Sequence, residues 1–233
     1  MSPAVKRRSY DSPRRRAQAA ATRDAIVLAA HELFVERGYA STTIDALAER
    51  AGVSTETVYA AFGNKRTILA RVVDVAIAGD DAPVPVLRRQ WVRDLRNEPD
   101  PQRRVWLLAH QGRLMLERWT PVYDVLRVTA DGDPEVAVLW EDVKAQRLEG
   151  QRALLRIVAA GAPLRRGLSA REATDVLFAV GSPETYRLLV VDRGWSPERF
   201  ERWYGDALGK LLFDCDDWRP GRPRKASVDE APP

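Results

Sequence analysis

ASTTIDALAERAGVSTETVYAAFGNK, residues 40–65, decides how the rest of the chain is read. Ile44, Leu47, Ala48 and Ala51 recur at i, i+3, i+4 and i+7, one face of a helix. Thr42 stands where an N-cap belongs, with Asp45 three residues on, a capping box with a shortened acid. Gly52 ends that helix, because glycine accepts the φ of a tight turn. Ser54 caps the next helix, in which Val58 and Phe62 face inward at i, i+4. Gly63-Asn64 breaks the chain again, and a longer helix follows over about 65–78. Two short helices joined at Ala51-Gly52-Val53 suit a unit that presses its second helix into the major groove of DNA.

The polar residues fit that layout. Thr42 and Thr43 open the first helix, where hydroxyls and free N–H groups favour phosphate. Ser54, Thr55, Glu56 and Thr57 open the second. Short side chains let that helix sink into the groove, threonine methyls can meet thymine methyls, and Glu56 can accept from cytosine N4. Tyr59 and Lys65 fall beyond the groove edge, where a phenol and an ammonium fasten phosphates. Each has a plainer reading: Thr42, Ser54 and Asn64 as caps, Tyr59 packed on its own helix, Glu56 solvated. Their joint spacing favours the DNA-facing one.

Upstream, Lys6, Arg7, Arg8, Arg14, Arg15, Arg16 and Arg23 stand against Asp11 alone, a larger surplus than the +4 of the whole chain. Residues 1–19 are read as a flexible basic arm. Its Arg14, Arg15 and Arg16 are candidates for phosphate or for an adjacent narrow minor groove. A solvated leader is the bland alternative. Ile26, Ala30, Leu33 and Phe34 form a helical stripe that stops before Gly38.

Downstream, GDDAPVP at 79–85 reads as a boundary between a domain over 20–79 and one over 80–218. Beyond it, helical periodicity covers about 86–97, 101–119, 121–130, 134–160, 170–192 and 197–213. No period-2 alternation is sustained, so the fold expected is all-α. Residues 219–233 have little to bury and read as a disordered tail. Within it Pro220–Lys225 is similar to the Gly-Arg-Pro core of an AT-hook.

One cysteine, Cys215, forms no intrachain disulfide and suits a reducing cytosol. The basic N-terminus lacks the apolar segment of a signal peptide, and no apolar run is long enough for a bilayer. The chain holds no GxSxG, GxGxxG or HExxH and no paired Cys/His ligands; its only histidines are His31 and His110. No enzyme activity, catalytic residue, metal site or cofactor is expected.

Residues 20–78 resemble the N-terminal domain of the TetR family of transcriptional regulators. The resemblance is carried by Ile26, Ala30, Leu33-Phe34, Gly38-Tyr39, Thr42-Thr43-Ile44, Leu47-Ala48, Ala51-Gly52-Val53-Ser54 and Val58–Lys65. It implies a three-helix helix-turn-helix DNA-binding domain followed by a helical ligand-binding and dimerisation domain. It implies a cytoplasmic, nucleoid-associated bacterial protein, with a DNA operator, its own homodimer and a small-molecule effector as partners. The function expected is a repressor of a palindromic operator, released by that effector. A DNA-binding activator or architectural factor without a small-molecule switch stays open. Thr43, Thr55, Tyr59 and Lys65 match positions that contact DNA in the family; Glu56 and Thr57 are added on geometry. Ala61 stands where many members have histidine, which puts one backbone contact in doubt.

The second domain says less. Seven tryptophans are more often core than pocket. His110, Arg113 and Tyr123 are polar groups that could converge on a cavity, but for His110 a satisfied core histidine is the favoured reading and no pocket residue is assigned; Gly181-Ser182-Pro183 reads as a kink beside a cavity. The last two long helices are expected to pair with a twofold mate through Val176, Val180, Tyr186, Leu189, Val190, Phe200, Trp203, Leu208, Leu211 and Leu212.

Overall fold

A computed structural model describes residues 13–80, 82 and 84–214. Among them there is no strand. Lys6, Arg7, Arg8, Cys215 and the 219–233 tail with its AT-hook-like string lie outside the described residues, as do positions 81 and 83 within the expected boundary.

The chain forms two compact units, Met1–Val72 and Val73–Pro233, and the division falls inside a helix. In the first unit α1 spans Pro13–Arg37, α2 Ile44–Ala51 and α3 Thr55–Phe62; α4, Lys65–Ala78, carries the division. The apolar stripe turns inward as periodicity demands. Ile26, Leu33, Phe34, Leu47, Val58 and Ile68 are all buried at 1% exposure or less. Each such side chain contributes about 1.5–3 kcal/mol on leaving water.

Two local expectations change. α1 begins at Pro13, whose fixed φ suits a first helical position, so Arg14, Arg15 and Arg16 lie on a helix rather than a flexible arm. The N-cap of α2 is Thr43, not Thr42: the Thr43 side chain accepts from the Ala46 amide at 3.1 Å. Gly52 then closes α2 at φ +67°, its N–H turned back to the Ala48 and Glu49 carbonyls.

In the second unit a 3₁₀ turn at Val86–Arg88 leads into α5, Gln90–Asn97. α6 spans Pro101–Ala130, α7 Pro134–Val158 and α8 Ala170–Val180. The short α9, Pro183–Tyr186, runs into a π-helical turn at Arg187–Asp192, and α10 spans Pro197–Leu212. α6 is central, packing against α7 and α10. It is one helix, where the sequence reads as two broken at Pro121. A proline inside a helix costs about 3 kcal/mol. Here Trp119, Val122, Tyr123 and Leu126 bury on both sides of it, which offsets that cost.

The break expected at 181–183 is present. Ser182 caps α9 by accepting from the Thr185 amide. It also frees space: a Cβ on Gly181 would lie 2.3 Å from the Tyr204 hydroxyl, and one on Gly112 2.8 Å from its ring. Tyr204 of α10 therefore reaches between α6 and the end of α8 only because both positions are glycine.

Candidate nucleic-acid interface

α3 is held from behind. Val58 and Phe62 seal its inner face. Ser54 caps it, accepting from the Thr57 amide at 3.2 Å, and its hydroxyl pairs with that of Thr57 at 3.1 Å. The Thr55 hydroxyl donates to Asp45 of α2 at 3.0 Å, which ties the two helices together at the turn. At the far end Arg23 of α1 donates to the Ala61 carbonyl and lies 4.3 Å over the Phe62 ring. A cation there complements the negative end of the helix dipole. Arg23 counts with the basic arm in the sequence, yet in the fold it fastens α3.

What remains outward is a small polar set. Glu56 and Tyr59 are exposed, Tyr59 at 52%. Local hydrogen bonds, its own backbone N–H and then Ser54, hold the Glu56 carboxyl below its usual range, so it faces outward as an acceptor. Thr57 is half-buried on the same first turn. Thr43 is exposed. Its oxygen accepts inside α2, and its O–H proton is directed to no acceptor among the described residues.

Thr42 and Lys65 behave otherwise. Thr42 is 1% exposed, and its hydroxyl donates to the Leu33 and Gly38 carbonyls at 3.2 and 2.9 Å. It closes the C-terminus of α1 and has no face for phosphate, so its reading as a DNA contact is withdrawn. The Lys65 ammonium donates to the Tyr39 and Thr42 carbonyls at 2.8 and 2.9 Å and lies 4.3 Å from the Tyr39 ring centroid. It pins the α1–α2 loop from the start of α4. Arg50 adds an outer clasp, pairing with Glu32 and Glu36 of α1. Arg14, Arg15 and Arg16 are exposed.

Sequence reading missed the Arg23, Asp45 and Lys65 ties because their partners lie 38, 10 and up to 26 residues away. No local period reports such pairs. A lone arginine midway along an otherwise apolar helix stripe is the one available hint.

The second unit holds a cavity of about 450 Å³. Its walls come from the end of α4, from Asp80, Ala82, Val84 and residues between Val86 and Arg93, from α6 and α7, and from Gly181 and Tyr204. His110, Arg113 and Tyr123 are not in it. His110 and Arg113 converge instead on Glu201 of α10, at 3.1 and 3.2 Å, a carboxylate only 1% exposed. Tyr123 donates to Glu184 and stacks edge-on against Trp140. Gly181 does line the cavity. The Tyr204 phenol beside it is pushed well above its ordinary range by burial and stays neutral. The residues expected at a dimer surface divide. Tyr186, Phe200, Leu208 and Leu212 are 0–4% exposed inside one protomer and belong to its core. Leu211 of the expected set stays exposed at 36%, and Leu188 and Val191 are exposed on the π-helical turn. Among the described residues no group of three His, Cys, Asp or Glu is placed to hold a metal, and no helix is long and apolar enough to cross a membrane.

Residues 26–72 match the family model described as bacterial regulatory proteins, tetR family. A curated relative, an uncharacterised HTH-type transcriptional regulator, YdeS, from Bacillus subtilis, is 38% identical over 74 residues. That match spans 32% of this chain and 37% of the relative's length. Among solved structures, NalD, the secondary repressor of the MexAB-OprM multidrug efflux pump in Pseudomonas aeruginosa, aligns with a TM-score of 0.65 at 23% identity. It covers 87% of this chain and 100% of its own. The transcriptional regulator FadR from Bacillus subtilis, in complex with stearoyl-CoA, aligns at 0.64 with 19% identity, covering 81% and 98%. A regulator from Saccharomonospora viridis in complex with choline aligns at 0.62 with 20% identity, covering 83% and 98%. At such identities these structures speak for the fold.

Proposed function

We propose that this chain, a TetR-family protein through residues 26–72, binds a near-palindromic DNA operator as a homodimer and represses transcription until a small molecule fills the cavity. One observation carries the reading. α3 is fastened at both ends from behind, by Asp45 and by Arg23, while Glu56, Thr57 and Tyr59 stay on its outer side. A short helix with a rigid back and a polar first turn is what major-groove readout needs.

Roles follow from what each group still has to offer. Glu56, Thr57 and the Thr55 methyl meet base edges. Thr43 and Tyr59 donate to phosphates, and Arg14, Arg15 and Arg16 add charge at the start of α1. Ser54 caps α3, and Thr42 and Lys65 position the loop. α4 is the covalent link: its Lys65 end holds the α1–α2 loop, and its Ile77–Ala78 end lines the cavity. A ligand preferring one setting of α4 would shift the separation of two recognition helices from the about 34–36 Å that adjacent half-sites require. A coupling of about 1–3 kcal/mol is typical, and it acts only through unequal affinity for the two states. That NalD is a repressor, and that two other structural neighbours are seen with bound ligands, supports this reading. Work on DNA would place the protein in the cytoplasm, at the nucleoid.

The test is selection of bound duplexes from a random pool with the full chain. A recovered inverted repeat, with half-sites about one helical turn apart, supports the reading. Recovery of unrelated sequences, or of none above background, rejects it.

A further inference from the structure

We infer that the cavity of the second unit takes an elongated, apolar-bodied monoanion, its head at Arg118, with a hydrogen-bond donor near Gln151. The position deepens the effector reading above and depends on it only for the consequence at DNA.

Shape comes first. Leu108, Gly112, Met115 and Arg118 all line the cavity and recur at helical spacing, so one face of α6 runs along it. Ten steps of 1.5 Å from Leu108 to Arg118 make that wall about 15 Å long. Most of the remaining surface is apolar: Trp91, Leu154 and Ile77 join Leu108 and Met115. A volume of about 450 Å³ with such walls suits a slender hydrocarbon body.

Charge selects the head. The described lining holds three arginines, Arg89, Arg93 and Arg118, against one acid, Asp80. Asp80 is already taken. Both its oxygens pair with Arg89, at 2.5 and 2.9 Å, and that fork, ahead of the backbone bond from Ala82, holds its carboxyl down at about 2. Arg93 turns to the Arg88 carbonyl. Among the described residues Arg118 has only a long bond from Nε to the Ala76 carbonyl, 3.4 Å. No carboxylate among the described residues lies within ion-pair distance of it. Desolvation pulls its pKa down. A guanidinium presents a fork of donors that a carboxylate fits with two bonds, and an incoming anion would restore what partial burial removed.

The second polar point is Gln151. It is 7% exposed, lines the cavity, and its Oε1 has no hydrogen-bond partner among the described residues. A buried carbonyl left unmatched loses the hydrogen bond it had in water, which a ligand donor would restore. Its depth follows from helix register. α6 and α7 run antiparallel, with Arg104 donating to the Ile157 carbonyl and Tyr123 stacked on Trp140. Interpolation brings Gln151 level with about residues 110–112, roughly 9–12 Å from Arg118 along α6. A hydroxyl or N–H at that remove from a carboxylate satisfies both ends.

The experiment titrates the full chain by calorimetry with four probes of one chain length: decanoate, decan-1-ol, decyltrimethylammonium and 10-hydroxydecanoate. Decanoate should bind about tenfold tighter than the alcohol, the margin of a charged over a neutral hydrogen bond, and the cation weakest. Arg118→Gln should bring decanoate down to the alcohol's affinity and leave the alcohol unchanged; Arg118→Lys should retain most of the preference. 10-Hydroxydecanoate should exceed decanoate, and Gln151→Leu should erase that excess. Equal or tighter binding of the alcohol or the cation overturns the inference, as does an Arg118→Gln chain that keeps its anion preference. An absent hydroxyl effect overturns the Gln151 half. Decanoate that binds through Arg118 without weakening operator binding leaves the ligand class standing and rejects the effector reading instead.

Discussion

Lys65 shows how much one cation can decide when its partners are counted. Two of its three ammonium donors reach the Tyr39 and Thr42 carbonyls, and the Tyr39 ring lies beneath it. A phosphate-bound lysine and a loop-pinning lysine both weaken DNA binding when removed, but they differ in salt dependence. Releasing one phosphate contact lowers the slope of log affinity against log salt by about 0.9. Lys65→Ala should therefore raise the operator Kd with the slope unchanged, measured by fluorescence anisotropy across a salt series. A slope reduced by about one would return Lys65 to the phosphates. Thr42 and Thr43 carry the same lesson one residue apart. Both offer the same hydroxyl in sequence. The fold spends one on the Leu33 and Gly38 carbonyls and leaves the other at the surface.

At the scale of elements, α3 is eight residues long and owes its position to neighbours more than to its own propensity. Its readout should be separable from its support. Glu56→Gln leaves the Asp45 and Arg23 ties alone. It should shift base preference by about 1–3 kcal/mol at one position, seen as a changed base in the selected half-site. An unchanged consensus would remove Glu56 from the groove. The approach to α5 offers an electrostatic counterpart. Asp80, beside the end of α4, is clamped to Arg89, and that pairing lowers its carboxyl from 3.8 to about 2. A depressed acid contributes stability above its unfolded value and loses it as pH falls through the folded one. The advantage of wild type over Asp80→Asn in thermal melts should be present at neutral pH and vanish between about pH 4 and pH 2. An advantage independent of pH would mean that the fork is neutral packing.

The elements themselves were largely legible in the sequence. Period-3.6 stripes with Gly38, Gly52 and Gly63 as stops predict α2 and α3 at nearly their observed ends. Three readings went wrong for one physical reason. Pro121, the Thr42 cap and the basic arm were each judged by local preference, and tertiary burial or the first turn of α1 overrode it. The polar groups of α6 divide: His110 is the satisfied histidine its plainer reading describes, while the partner that satisfies it could not be read. His110 and Arg113 sit on a polar stripe of α6, and only the packing of α10 shows that Glu201 claims both.

For the molecule as a whole, the proposed dimer must use surface that one protomer leaves uncovered. Phe200, Leu208 and Leu212 cannot supply it, being fully buried in their own core. Leu211 of α10, at 36% exposure, and Leu188 and Val191 on the π-helical turn, at 55% and 64%, remain. Val128 of α6, 61% exposed, belongs to an adjoining element, since Tyr123 bonds Glu184 and Asp124 faces Arg187 across the same junction. An apolar group left in water loses the about 25 cal/mol per Å² that burial returns, so exposed apolar groups on these elements argue for cover. The double substitution Leu188→Glu, Val191→Glu should yield a folded monomer by sedimentation velocity, with its helical circular dichroism kept. It should bind a full palindrome no better than a single half-site, because two tethered recognition helices are what make the whole operator tight. Leu208→Ala supplies the contrast. It should cost about 2–5 kcal/mol of stability by emptying core volume, and the surviving folded protein should keep its mass. A double mutant that stays dimeric would move the interface elsewhere on the second unit.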